Sequence, residues 1–251
     1  MTDITAPLYE IFSGIQGEGV HVGERQIFVR FCGCNWACDY CDTREACGAP
    51  DTCAIEREAG SRQCDPVPNP LGLGQVVDAV AALASGSCLH YAVSLTGGEP
   101  LVHADFVGAL GAVLRRAGLA VCLETNGTLP DALAGVVHCV DHVAMDVKLE
   151  SATGQPTPWD AHRLFLARAA SRDVEVKVVI SAETTEGELG DLADLVASVD
   201  VATPVVLQPV TPLGGVSAPS AAQVLRLQDV LLCRLPHVRV IPQVHKLMGQ
   251  K

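Results

Sequence analysis

Apolar and polar positions along this chain switch between a period of two and a period of roughly 3.6 residues, and the switching predicts its elements. Short runs rich in β-branched residues read as strands: "QIFVRFC" (26–32), "YAVSLT" (91–96), "LAVCLET" (119–125), "HVAMDVK" (142–148), "VEVKVVI" (174–180), "PVVLQP" (204–209) and "VRVIPQ" (238–243). Between them, residues 75–85, 103–117, 158–171, 186–198 and 219–234 carry apolar positions at helical spacing. Strand-then-helix repetition builds a parallel sheet with helices packed against it. About six or seven such units are present, short of a complete eightfold barrel. The expected fold is α/β, an open, partial TIM-type barrel in a single domain over 1–251.

One segment breaks the rhythm. "REACGAPDTCAIEREAGSRQCDPVPNPLG" (44–72) is rich in Gly, Pro and charge and shows no period, so it reads as a long, variable loop. Its Cys47, Cys53 and Cys64 follow no zinc spacing. Cys88, Cys122, Cys139 and Cys233 fall in predicted strands or helices and read as small core residues.

Composition narrows the function. No apolar run approaches the roughly 20 residues that span a bilayer. The first residues lack the basic and apolar regions of a secretory signal, so a cytoplasmic location is expected. A formal net charge of −12 argues against a nucleic-acid partner and for a small-molecule substrate. Eleven cysteines in such a chain point to ligands and core filler rather than disulfides.

Four of them crowd into "RFCGCNWACDYCDT" (30–43). Strand parity assigns Cys32 to the strand, with Phe28 and Arg30, so the loop starts at Gly33. Cys34-x3-Cys38-x2-Cys41 then sits at the C-terminal end of a strand, where α/β barrels keep their chemistry. Three cysteines on a 4Fe-4S cluster leave one iron open for a non-protein ligand. A closed zinc site would need a fourth thiol, and Cys32 or Cys47 is the nearest. The second motif is "TGGEP" (96–100), directly after a strand, where glycines admit close backbone approach.

Together these two motifs resemble the radical S-adenosylmethionine (SAM) superfamily. The stretches "YEIFSGIQGEGVHVGERQIFVRFCGCN", "CDT", "ETNGT", "DVK", "LQPVTP" and "PQVHKLMG" further resemble the 7-carboxy-7-deazaguanine synthase family, in order along nearly the whole chain apart from 44–72. The resemblance implies a radical ring contraction of 6-carboxy-5,6,7,8-tetrahydropterin with loss of ammonia. Cys34, Cys38 and Cys41 would hold the 4Fe-4S cluster, which reduces SAM to methionine and a 5′-deoxyadenosyl radical. SAM would be regenerated at the end of the cycle.

The same resemblance assigns the remaining residues. Thr43 matches the Mg²⁺ ligand, against a plain reading as a helix cap. SAM would meet Tyr40 and Asp42 on the cluster loop, Gly98 in the turn, Asp146, Val147 and Lys148 of "DVK", and Gln208, Pro209, Val210 and Thr211. The pterin would meet Gln16 with the backbone of Ile15 and Gly17, Arg30 at its carboxylate, Thr96 and Glu124. His245 and the terminal Lys251 would close the pocket. The family implies a reducing partner such as a flavodoxin and a homodimer. Two other readings remain open here: a glycyl-radical activating enzyme, and a non-catalytic zinc- or cluster-binding module.

Overall fold

A computed structural model describes residues 4–85 and 90–250. Cys88 and Lys251 lie outside the described residues. The strands in chain order are β1 (Thr5–Ala6), β2 (Leu8–Ile15), β3 (Arg25–Phe31), β4 (Thr52–Glu56), β5 (Cys64–Pro68), β6 (Leu71–Gly72), β7 (Ala92–Gly97), β8 (Val121–Thr125), β9 (His142–Val147), β10 (Asp173–Ile180), β11 (Val205–Pro209) and β12 (Val238–Val240). The helices are α1 (Leu73–Ala84), α2 (Ala104–Arg116), α3 (Pro130–Val136), α4 (Glu150–Thr153), α5 (Trp159–Ala169), α6 (Glu186–Ala197), α7 (Ala221–Leu232) and α8 (Val244–Leu247).

Ten strands form one sheet in the order β12-β11-β10-β9-β8-β7-β3-β2-β4-β5. The run from β3 to β12 is parallel throughout, as the strand-helix alternation predicts. The sheet stays open, with no pairing between β12 and β5. This is the expected partial barrel, and all seven predicted strands and five predicted helices form.

Beyond the short elements β1, β6, α3, α4 and α8, which the pattern does not predict, three features depart from the sequence reading. The 44–72 segment is not a bare loop: it holds a 3-10 turn (Arg44–Cys47) and β4 and β5, an antiparallel hairpin added to the sheet edge through a parallel β2·β4 pairing. Its prolines and charges suit an exposed edge strand, which needs few ladder bonds and conceals the usual strand pattern. Cys53 lies in the core of this extension. β2 is the second addition, hidden by the glycines and polar residues of "LYEIFSGI". Cys233 is the third, exposed at the C-terminal cap of α7 rather than buried.

Parity decides the two faces. Val93 and Leu95, Val121 and Leu123, Val143, Met145 and Val147, then Val176 and Val178 enter the core beneath the helices. Their alternates turn to the opposite face and are largely polar: Ser94 and Thr96, Cys122 and Glu124, His142 and Asp146, Glu175 and Lys177. A buried polar face is costly unless its groups pair with one another or with a ligand.

Candidate active site

That polar face and the loops at its C-terminal rim enclose a cavity of about 590 Å³. Cys34, Cys38 and Cys41 line it. β3 ends at Phe31, so parity stops short of Cys32, which is fully buried outside the cavity with its carbonyl accepting from His103 Nε2 at 2.8 Å. Burial pushes the Cys32 thiol up to about 11 and that of neighbouring Cys53 to about 12.

The two principal motifs are fastened to each other. Gly98 N donates to Phe31 O at 3.1 Å, and Glu99 N to Gly33 O at 2.8 Å. A Cβ on Gly97 would meet Phe31 O at 2.3 Å and one on Gly98 would meet Gly33 O at 2.1 Å, so the paired glycines are needed for the turn to reach the cysteine loop. Glu99 is fully buried and accepts from Leu101 N, Thr125 Oγ1 and Asn126 N, tying the turn to the end of β8. Asn126 continues the link, donating to Asn35 of the cysteine loop at 2.8 Å.

A chain of charges crosses the cavity wall. Glu18 pairs with Lys177, Lys177 with Asp146 at 3.3 Å, Asp146 with Lys148 at 2.9 Å, and Lys148 Nζ donates to Tyr40 OH at 3.2 Å. Burial alone would raise the Glu18 carboxyl, but Lys177 overrides it and holds it at about 2. Burial likewise works against the Lys148 ammonium, and Asp146 and Tyr40 nonetheless keep its pKa well above the ordinary value.

The opposite wall carries a hydrogen-bonded group. Glu124 accepts from Gln16 Nε2 at 2.7 Å, Ser94 Oγ at 2.7 Å and Thr96 Oγ1 at 2.8 Å. Arg30 is not an exposed strand cation: its side chain is only 14% exposed, and its Nε donates to Glu10 at 2.9 Å. That bond uses one of five guanidinium N–H groups, so the fork can still meet a second carboxylate. Phe12 and Phe28 stack beside it at 5.1 Å.

The C-terminal segment closes one side. Val244 N donates to Gly17 O at 2.9 Å, and His245 packs so tightly on Gly17 that a Cβ there would sit 2.0 Å from Nδ1. Gln243 joins Thr211, Glu18 and Asp42, while Lys246 pairs with Asp42 at 2.7 Å. Burial would raise the Asp42 carboxyl, and Lys246 holds it below its usual range. Thr43 occupies the cap position of the Arg44–Cys47 turn but makes no side-chain cap bond; its hydroxyl lies 3.9 Å from Cys41 Sγ and faces the cavity.

Residues 28–152 match the radical SAM superfamily. A curated 7-carboxy-7-deazaguanine synthase from Geobacter sulfurreducens is 42% identical over 98% of each chain, and one from Methanopyrus kandleri is 36% identical over 96% of this chain and 92% of that one. This chain belongs to the 7-carboxy-7-deazaguanine synthase family. As a family member it is a radical SAM enzyme, working with a 4Fe-4S cluster and SAM. The crystal structure of QueE from Escherichia coli shares the fold, with a TM-score of 0.61, 21% identity and coverage of 96% of this chain and 95% of that one.

The donor set suits the family's cluster. Tetrahedral zinc, with Zn–S near 2.3 Å, draws its sulfurs to within about 3.8 Å of one another. Among the described residues no three thiols come within 4.8 Å of each other, so the loop is too wide for a closed zinc site. Cys47 lies beside Cys41 at the cavity mouth and makes the fourth thiol of the rim. Burial holds the Cys34 and Cys38 thiols above the ordinary value; a bound iron removes that proton.

Of the residues expected from the family, all but three line this cavity. Val147 turns its side chain into the core, Pro209 lies outside the lining, and Lys251 is outside the described residues. Sequence reasoning missed Gln26, Ser94, Glu99, Asn126, Lys177 and Gln243. Gln26 was findable, because it shares the parity of Phe28 and Arg30.

Proposed function

We propose that this protein converts 6-carboxy-5,6,7,8-tetrahydropterin to 7-carboxy-7-deazaguanine with loss of ammonia, within 7-deazapurine biosynthesis. One observation carries the reading: the cysteine loop and the "TGGEP" turn are fastened at the rim of the cavity whose wall holds Arg30 and the Gln16–Glu124–Thr96 group. When bound, the cluster and SAM supply one-electron chemistry and a hydrogen-abstracting radical. The chain's own residues bind and orient.

In this reading Cys34, Cys38 and Cys41 hold the cluster. Asp146 Oδ1 and Gln208 Oε1 are buried acceptors without a partner among the described residues, and both suit the amino and hydroxyl donors of SAM. Tyr40, Asp42, Gly98, Lys148, Val210 and Thr211 complete that side, with the Val147 and Pro209 backbone. Arg30 offers its fork to the substrate carboxylate. Glu124 and Glu18 N hold the Gln16 carboxamide at both ends, and its remaining capacity with the Ile15 and Gly17 backbone would read the flat pterin edge. Gln26, fully buried with both amide atoms unpartnered, adds a second carboxamide reader. Burial lowers the His245 pKa, so it meets substrate as a neutral imidazole.

Thr43 would serve Mg²⁺, an ion that keeps several waters and shares substrate oxygens; its hydroxyl makes no cap bond and lines the cavity, which supports this. We further propose a single radical SAM domain over 1–251, a homodimer, a cytoplasmic location and a flavodoxin-type reductant. No helix of the described residues is long and apolar enough to cross a membrane. Anaerobic reconstitution followed by turnover is the test. SAM, reductant, Mg²⁺ and the carboxypterin should yield the deazaguanine acid and ammonia, and SAM cleavage without that product would sink the assignment.

A further inference from the structure

At the opposite end of the cavity from the cysteine loop, His21, His142 and Asp173 each offer one ligand atom within 4.8 Å of the others. His142 and Asp173 open β9 and β10 and pair across them, whereas Lys148 lies past the far end of β9. Six residues of strand separate the two ends by roughly 20 Å. His21 stands on the β2–β3 connection, and its ring meets His142 edge-on at 4.5 Å between centroids.

Each histidine has one nitrogen close to a glutamate carboxylate. His21 Nδ1 lies 3.0 Å from Glu24 Oε2, and His142 Nε2 lies 3.4 Å from Glu175 Oε1. This leaves His21 Nε2 and His142 Nδ1. The first is buried without a hydrogen-bond partner among the described residues; the second lies 3.2 Å from Asp173 Oδ2. Tetrahedral ligands at about 2.0–2.1 Å from zinc stand about 3.3 Å apart, which is that spacing. Metal-bound imidazoles are held through their other nitrogen by a carboxylate, as Glu175 holds His142.

We propose that His21 Nε2, His142 Nδ1 and the Asp173 carboxylate bind a transition-metal ion of the Zn²⁺ class at the floor of the cavity. Imidazole with one carboxylate favours zinc over Mg²⁺ or Ca²⁺, which take oxygen ligands. The Asp173 side chain is 75% exposed, giving the ion a route from solvent and room for a water ligand. Glu175 also accepts from Val20 N at 2.8 Å, so the ion would fasten the connection that carries Gln16 to the start of β9 and β10. Its role is structural, and no step of the reaction runs through it.

The test reads metal content rather than turnover, so its failure leaves the enzymatic assignment standing. Reconstituted holoenzyme is incubated with stoichiometric ZnCl₂, desalted and analysed for zinc and iron. About one zinc per chain should remain beside the cluster iron. His21→Ala and Asp173→Asn, the latter a near-isosteric change on an exposed side chain, should keep the iron and bind zinc about 10–100-fold more weakly. Zinc retained equally by both variants, or none retained by the unaltered holoenzyme, overturns the proposal.

Discussion

Gln26 buries a whole carboxamide on the cavity face of β3, and neither Oε1 nor Nε2 finds a partner among the described residues. An unpaired buried amide costs about 1–3 kcal/mol, so Gln26→Leu should raise the stability of ligand-free protein by that order. If the amide reads the pterin, the same change should raise KM for the pterin roughly tenfold with the cluster intact. Lower stability together with unchanged KM would remove Gln26 from the reading. The cysteines allow an equally local prediction. Cys34→Ala, Cys38→Ala or Cys41→Ala should lose cluster iron after reconstitution, while Cys32→Ala should retain it, because Cys32 is packed away from the cavity. Iron assays showing the opposite pattern would reassign the ligands. Sequence spacing singled out three thiols that all line the cavity, but Cys32 was placed one residue too far along its strand. Strand parity has no force beyond the last paired residue, here Phe31.

At the scale of elements, the Glu18–Lys177–Asp146–Lys148–Tyr40 chain joins the β2–β3 connection, β10, β9 and the cysteine loop. Two carboxylates and two ammonium groups balance, and the central lysine serves both acids. Lys177→Met would leave Glu18 without a cation and Asp146 with Lys148 alone, and breaking a buried pair on one side costs about 3–5 kcal/mol. Urea titration should show that loss. Arg57→Ala, on the exposed Arg57–Asp65 pair of the β4–β5 hairpin, should leave the midpoint in place. An equal loss in both variants would mean that the buried chain has no special weight. The hairpin itself shows what pattern reading cannot reach. "TCAIE" and "CDPVP" pair at an exposed edge, where selection for a buried face is weak and the alternation that marks a strand fades.

Across the whole molecule, the cavity is written into the strands as a second alternation. "HVAMDVK" places Val143, Met145 and Val147 in the core and His142, Ala144, Asp146 and Lys148 on the cavity; "VEVKVVI" does the same with Glu175 and Lys177. Polar residues every second position in a strand flanked by helices mark a lumen that holds a ligand, and this was legible without a structure. The partners across the lumen were not, since Gln16–Glu124 and Glu18–Lys177 join residues far apart in sequence. The same buried polar architecture fixes how stability depends on pH. His162 is fully buried and neutral: its Nε2 accepts from Lys148 N, which leaves Nδ1–H to donate to Gly127 O, and burial lowers its pKa from 6.5 to about 4. Between those values the unfolded chain binds a proton that the folded chain refuses, so stability falls as pH falls, by about 3 kcal/mol in all. Glu18 adds a second loss lower down, between 4.5 and about 2, when it no longer offers Lys177 a carboxylate. His142 is raised by Glu175 and Asp173 against the pull of burial, so its contribution disappears on the alkaline side of 6.5 and adds no slope below it. Glu99, raised by burial, acts in the opposite sense just above 4.5. The difference between wild type and His162→Gln isolates the histidine, because Glu99 and Glu18 are common to both. Urea midpoints across the acid range should show that difference shrinking as pH drops from 6.5 to about 4 and then levelling, and parallel curves would mean that His162 is not held neutral by the fold.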